Sequence, residues 1–163
     1  MSWRLSLLCF LPINIDNDFS KCHAFREDSF RCSFGSLDGF TTSIEGYEQK
    51  IRKRMREPQW FYLHLWKDGE IVGQLEFKTF SFKPDFGYVH LVYLCEQVRG
   101  LGFAEQAQAY LENRLMEQGC KGAILSVSRE NGRALSHYEK SGWTFLKPNP
   151  KHPQTDFWQK TFV

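Results

Sequence analysis

The run from Gly87 to Leu94, with Tyr-Val-His-Leu-Val-Tyr-Leu as its body, is almost entirely apolar. A run of this kind fits a strand covered on both faces, which requires other elements packed above and below it. Next comes Gln97-Val98-Arg99-Gly100-Leu101-Gly102-Phe103-Ala104, and then Phe103, Ala104, Ala107, Leu111 and Leu115 at helical spacing. A buried strand, a glycine turn and a helix in that order restrict the chain to mixed α/β architectures. The order also leaves unpaired backbone N–H groups at the start of the helix, carrying partial positive charge. Gly100 and Gly102 remove side chains that would hold an anion away, and Arg99 adds a fixed cation. The turn therefore predicts a pyrophosphate site. Taken alone, a G-x-G turn equally fits a simple reversal before a helix. Glu105 stands where a dinucleotide fingerprint has its third glycine, and the unit lies late in the chain. Both weigh against a nucleotide-binding oxidoreductase.

The other elements follow from periodicity and turn chemistry. Met1 to Pro12 reads as a first strand rather than a signal peptide, because no small-residue cleavage site follows it. Phe19, Cys22, Phe25, Phe30 and Phe34 line one face of a broken helix. Thr42 and Glu45 form a predicted capping box ahead of Ile44, Tyr47, Ile51 and Met55, and Glu57-Pro58 ends that helix. Gln59 to Trp66 and Ile71 to Lys78 are strands joined by an Asp68-Gly69 hairpin turn. Phe80 to Phe86 is a loop. After the helix that ends near Gln118-Gly119 come a short buried strand from Ala123 to Val127 and a second helix from Asn131 to Ser141. Two final strands, Trp143 to Leu146 and Phe157 to Phe162, are joined by a polar loop with Pro148, Pro150 and Pro153. The expected order is β-α-α-β-β-β-α-β-α-β-β, in one domain over residues 1–163.

Composition narrows the function classes. The net charge is only +2, which gives no basis for nucleic-acid or membrane-surface binding. No apolar run reaches the length of a membrane span. The five cysteines, Cys9, Cys22, Cys32, Cys95 and Cys120, are odd in number and lack metal-ligand spacing. Scattered free thiols predict a cytoplasmic protein without a metal.

A second cluster complements the glycine turn: Asn131-x-x-Ala134-x-x-x-Tyr138-Glu139-Lys140-x-Gly142-Trp143. Gln97-x-x-Gly100-x-Gly102 after an apolar strand, followed by this cluster, resembles the GCN5-related N-acetyltransferase (GNAT) superfamily. The resemblance is close over Tyr88 to Trp143 and extends elsewhere through the order of elements. It implies a twisted, mostly antiparallel mixed sheet of about seven strands, with a splayed parallel pair and helices on both faces. It also implies transfer of an acetyl group from acetyl-CoA to a small-molecule or peptide amine by direct attack in a ternary complex, and a possible homodimer. A catalytically silent CoA-binding module on the same fold is the alternative.

The family's roles fall on particular residues here. The amides of Val92 and Leu94 would hold the pantetheine arm and polarise the thioester. Gln97 and the amides of Arg99, Gly100, Leu101, Gly102, Phe103 and Ala104 would hold the pyrophosphate. Asn131 matches a pantetheine-binding position and is also a good helix N-cap. Tyr138 matches the general acid. For the base, His90 on the motif strand and Glu76 on the polar face of the preceding strand are rivals, and ordered water could replace both. An unperturbed histidine, with a pKa of about 6.5, suits proton removal at neutral pH. Cys95 lacks a neighbour in sequence to activate it and reads as structural. Trp60, Phe61, Tyr62, Trp66 and the Phe80 to Phe86 loop are expected to shape the acceptor pocket. The basic run Lys50, Arg52, Lys53, Arg54 and Arg56 is expected to be a solvated face.

Overall fold

A computed structural model describes residues 7–163, so Met1 to Ser6, the start of the expected first strand, lie outside the described residues. The elements run β1 (Cys9–Pro12), α1 (Ile15–Phe34), α2 (Phe40–Ser43), α3 (Tyr47–Arg54), β2 (Trp60–Lys67), β3 (Glu70–Lys78), β4 (Phe86–Leu94), a 3₁₀ turn (Glu96–Val98), α4 (Phe103–Glu117), β5 (Gly122–Ser128), α5 (Gly132–Lys140), β6 (Thr144–Pro148) and β7 (Thr155–Thr161). The seven strands form one sheet in the order β1-β2-β3-β4-β5-β7-β6. Every pair is antiparallel except β4–β5.

Two expectations in the first third change. The predicted break in the helix over Phe19 to Phe34 is absent, and α1 is continuous. Asn14 Oδ1 accepts from the Asn17 amide at 3.3 Å, Asp16 and Asp18 lie in the first turn, and Gly35 closes the helix at φ 76°. Acidic residues at the start and Arg31 in the last turn match the helix dipole. The predicted capping box at Thr42 and Glu45 does not form. Gly39 and Gly46 adopt left-handed φ of 85° and 71°, dividing the segment into α2 and α3, so α3 starts after Gly46 with no side-chain cap. The Asp68-Gly69 hairpin forms as expected, with φ of 50° and 79°.

The sheet packs on both faces. On one face Leu63, Leu65, Leu75, Phe77 and Val89 meet Phe103, Ala107, Leu111 and Leu115 of α4, with Trp143 in the same core. On the other, Cys22 of α1 joins Tyr47 and Ile51 of α3 and Tyr62, while Phe25 packs on Leu91 and Tyr93. The "polar" face of β3 is therefore not a solvent face. Gln74 is 0% and Glu76 1% exposed, because α1 and α3 lie over them.

Candidate active site

The site begins where the parallel strands part. β4 and β5 pair from Phe86↔Gly122 to Val89↔Leu125 and no further. β5 stays paired with β7 as far as Ser128↔Thr155, and β4 with β3 as far as Leu94↔Gly73. The stretch from His90 to Leu94 therefore borders an opening. A bulge aims it: Glu76 faces Leu91 and Phe77 faces Val89, leaving His90 without a cross-strand partner. Such an extra residue shifts the alternation of side chains along the strand. Val89 thus packs in the α4 core, whereas Leu91 and Tyr93 pack under α1. The Cys95 amide donates to the Val72 carbonyl at 2.8 Å. Alternation then turns the amides of Val92 and Leu94 away from β3 and into the opening.

The glycine turn sits beyond the end of β4. Gly100 and Gly102 take φ of 77° and 89°, a region that disfavours side chains, and Gly102 is the N-cap residue of α4. Phe103, 2% exposed, anchors the helix start in the core. Gln97 and Leu101 are exposed and Ala104 is half-buried. Free amides at the start of a 15-residue helix are thus presented at the surface beside the opening. Arg99 departs from expectation. Its Nε donates to the Leu94 carbonyl at 2.8 Å and its Nη2 to Asp28 Oδ2 at 2.9 Å, so its charge is held by α1 rather than offered to a phosphate. Tyr93 Oη donates to the same carboxylate oxygen at 2.6 Å. These contacts hold the Asp28 pKa below its ordinary value, the tyrosine hydrogen bond first and then Arg99.

A cavity of about 1160 Å³ lies between the opened part of β4, from His90 to Val92, and α1, α2, α3 and the β6–β7 loop. Val92, Asn131 and Tyr138 line it together with His90, Glu76 and Arg54. Asn131 is the N-cap of α5, its Oδ1 accepting from the Ala134 amide at 3.2 Å, while the residue also borders the cavity. Tyr138 packs edge-on against Trp143, and burial pushes its pKa up to about 12. Its hydroxyl therefore holds its proton throughout the neutral range.

The two candidate bases are differently placed. Glu76 is saturated. Its Oε1 takes Arg26 Nη2 at 2.7 Å, and its Oε2 takes Gln74 Nε2 at 2.7 Å and Tyr47 Oη. His64 Nε2 lies 2.8 Å from Gln74 Oε1 and 3.5 Å from Cys22 Sγ, extending the buried network under α1. His90 stacks on Trp60 and contacts Tyr88, and its Nε2 is buried without a partner among the described residues. Burial first, then the charges of Lys78, Arg26 and Arg54, push its pKa down to about 3. That result differs from the sequence expectation of a near-neutral base. Spacing could not show that α1, α3 and β3 each bring a cation to this strand. Cys95 is half-buried, with its thiol pKa raised mainly by burial.

Other sequence expectations sort by strand parity. Trp60 and Tyr62 face the cavity side, whereas Phe61 stacks on Phe77 in the α4 core at 4.7 Å. The Phe80 to Phe86 loop lines a separate pocket of about 250 Å³ with Gln118, Gly119 and Cys120. In the basic run Lys53 and Arg56 are exposed and Arg52 pairs with Asp16 at 2.8 Å, but Lys50 and Arg54 border the cavity. Their spacing from Tyr47, i, i+3 and i+7, was the available signal for a shared helix face. Asp28, Arg26 and Tyr47 carried no comparable signal.

An opened parallel pair with amides turned inward, a glycine turn at a helix start and a half-buried tyrosine on the cavity agree with the comparisons to known proteins. Residues 22–143 match the Acetyltransferase (GNAT) family. The chain belongs to that family. A mycothiol acetyltransferase of Corynebacterium efficiens is 28% identical over 103 residues. That match covers 61% of this chain and 34% of the relative, so the chain spans about a third of that relative's length. The fold is that of PaiA N-acetyltransferase from Thermoplasma acidophilum in complex with coenzyme A, with a TM-score of 0.77, 16% identity, and 99% of this chain and 100% of that one covered. A ribosomal-protein-alanine N-acetyltransferase from Brucella melitensis superposes with a TM-score of 0.72 at 17% identity, covering 94% and 99%. Among the described residues, no group of three His, Cys, Asp or Glu side chains converges as a metal site, and no helix is long and apolar enough to cross a membrane.

Proposed function

We propose that this chain is a single-domain acyltransferase that moves an acetyl group from acetyl-CoA to the amine of a small molecule or peptide by direct attack. The observation that carries this reading is the shared cavity: Val92, whose amide turns into the opening between β4 and β5, lines one space with Asn131 and Tyr138.

In this reading the amides of the glycine turn and the start of α4, from Gly100 to Ala104, hold the pyrophosphate. Gln97 lies at the outer edge of that turn. The Val92 and Leu94 amides bind the pantetheine arm and polarise the thioester carbonyl, stabilising the oxyanion formed on attack. Asn131 contributes to the same arm while capping α5. Tyr138 faces the sulfur that leaves. An ordinary thiol titrates at about 8.5, so complete transfer from a phenol at about 12 is uphill. Tyr138 therefore donates a hydrogen bond as charge builds on sulfur, and the proton released from the attacking amine completes the exchange. The products are an amide and a free thiol.

Neither side-chain base fits proton removal from an ammonium. The two oxygens of Glu76 are engaged, and His90 at about 3 is far too weak an acceptor. The amine is taken as its neutral form, consistent with the cations that surround His90.

The test is calorimetric titration with acetyl-CoA, followed by thiol release across a broad amine panel. Binding with acceptor-dependent thiol release is expected. Tight binding with no turnover would leave the silent CoA-binding module. No binding would remove the reading altogether.

A further inference from the structure

The acceptor end of the cavity carries an unbalanced charge. α3 points Lys50 and Arg54 into it, and α1 adds Arg26. Arg26 is held by Glu76 at 2.7 Å. Arg54 is oriented but not neutralised: its guanidinium carbon sits 4.0 Å from the Trp60 ring centroid, and Nη1 donates to Tyr62 Oη at 3.0 Å. Behind it, Lys78 places its ammonium 4.9 Å from the same ring. Neither Arg54, Lys50 nor Lys78 has a carboxylate within ion-pair distance among the described residues. The acids on the cavity are Glu76, already saturated, and Asp38, which is exposed at the α1–α2 connection. Burial, with Arg54 second, lowers the Lys78 pKa, so the like charges oppose each other.

A guanidinium held flat by an aromatic ring and a phenol keeps its remaining N–H fork free for a planar or tetrahedral oxyanion. We propose that the acceptor is an amine that also carries an anionic oxygen group, a carboxylate or a phosphate, received by Arg54 with Lys50. This rests on the acyl-transfer reading of the cavity. Charge selects twice here. The anion is attracted, and a second ammonium on the acceptor is repelled, so polyamines are poor substrates. Arg54 and His90 share the cavity and both contact Trp60, so an anion on Arg54 places an amine of a small molecule beside the β4 bulge.

The experiment uses matched pairs with the full chain and acetyl-CoA, read by thiol release. The pairs are glucosamine and glucosamine 6-phosphate, ethanolamine and phosphoethanolamine, and amino acids and their amides, with spermidine as the polycation. The anionic member is expected to have the higher kcat/KM by about tenfold or more. Activity confined to carboxylates or to phosphates identifies the group, and either supports the proposal. In Arg54→Gln the ratio of anionic to neutral kcat/KM should fall about tenfold, mostly through KM. Arg54→Lys should recover only part, since the point charge returns without the fork. A melting curve and an acetyl-CoA titration on each variant separate misfolding from lost recognition, and Lys50→Gln repeats the test at an exposed site. Preference for spermidine or the neutral members overturns the proposal. So does turnover of no anionic amine by a protein that still binds acetyl-CoA. Loss of acetyl-CoA binding in the wild-type protein instead defeats the acyl-transfer reading beneath it.

Discussion

Arg99 Nη2 lies 2.9 Å from Asp28 Oδ2, so the glycine turn at the start of α4 is fastened to α1, seventy-one positions earlier in the chain. The same arginine grips the Leu94 carbonyl through Nε, and Tyr93 shares the carboxylate. Helix α1, the last peptide of β4 and the turn thus form one assembly. Asp28→Asn should keep the fold but raise the acetyl-CoA dissociation constant several-fold, with kcat changed less. Titration calorimetry beside a melting curve measures both. An unchanged dissociation constant would show that the tether does not set the turn.

Tyr138→Phe removes a hydroxyl while keeping the ring against Trp143. If Tyr138 assists the leaving sulfur, kcat should fall by about 10²- to 10⁴-fold with acetyl-CoA affinity nearly unchanged. Single-turnover thiol release on the purified variant is the measurement, and a wild-type kcat would exclude the role.

His90 predicts a pH signature in stability. Its folded pKa, near 3, lies below the ordinary 6.5. Between those values the unfolded chain binds the extra proton, so stability rises with pH across the window and is lost as pH falls through it. Denaturant midpoints from pH 4 to 7.5 should therefore climb less steeply in His90→Phe than in wild type. In the same protein, the activity profile should show no histidine limb near pH 6.5. An activity limb there that disappears in His90→Phe would restore the histidine as a base.

Glu76 predicts a structural cost. Removing its carboxylate strands Arg26 and the hydrogen-bonded Gln74 and Tyr47 under α1. Breaking a buried ion pair by deleting one partner costs about 3–5 kcal/mol. Arg26 keeps some solvent, so Glu76→Ala belongs near the lower end, about 3 kcal/mol by chemical denaturation. Glu76→Gln keeps the shape. It should retain the wild-type pH dependence of kcat, and a shifted profile would return Glu76 to the list of bases.

Legibility in the sequence followed the range of the interaction. The Asp68-Gly69 turn, the apolar body of β4, the start of α4 and the Asn131 cap each depend on a few adjacent residues, and all were readable. The capping box wrongly placed at Thr42 fails because Gly39 and Gly46 take left-handed backbone and override the side-chain signals between them. The break wrongly placed in α1 is absent because the helix runs unbroken from its Asn14 cap to Gly35. Alternation on β3 was visible, but not that its polar side would be covered by helices from earlier in the chain.

The sequence by itself determined the family, the mixed sheet with its single parallel pair, and the glycine turn at the start of α4. These arise from local periodicity, glycine conformation and a motif spanning Gln97 to Trp143. Only the tertiary structure decided the charges. It turned Arg99 toward Asp28, saturated Glu76, surrounded His90 with three cations and brought Arg54 from an apparently solvated helix face onto Trp60. Electrostatic environment is set by neighbours distant in sequence, and no local pattern records where a long cationic side chain will rest.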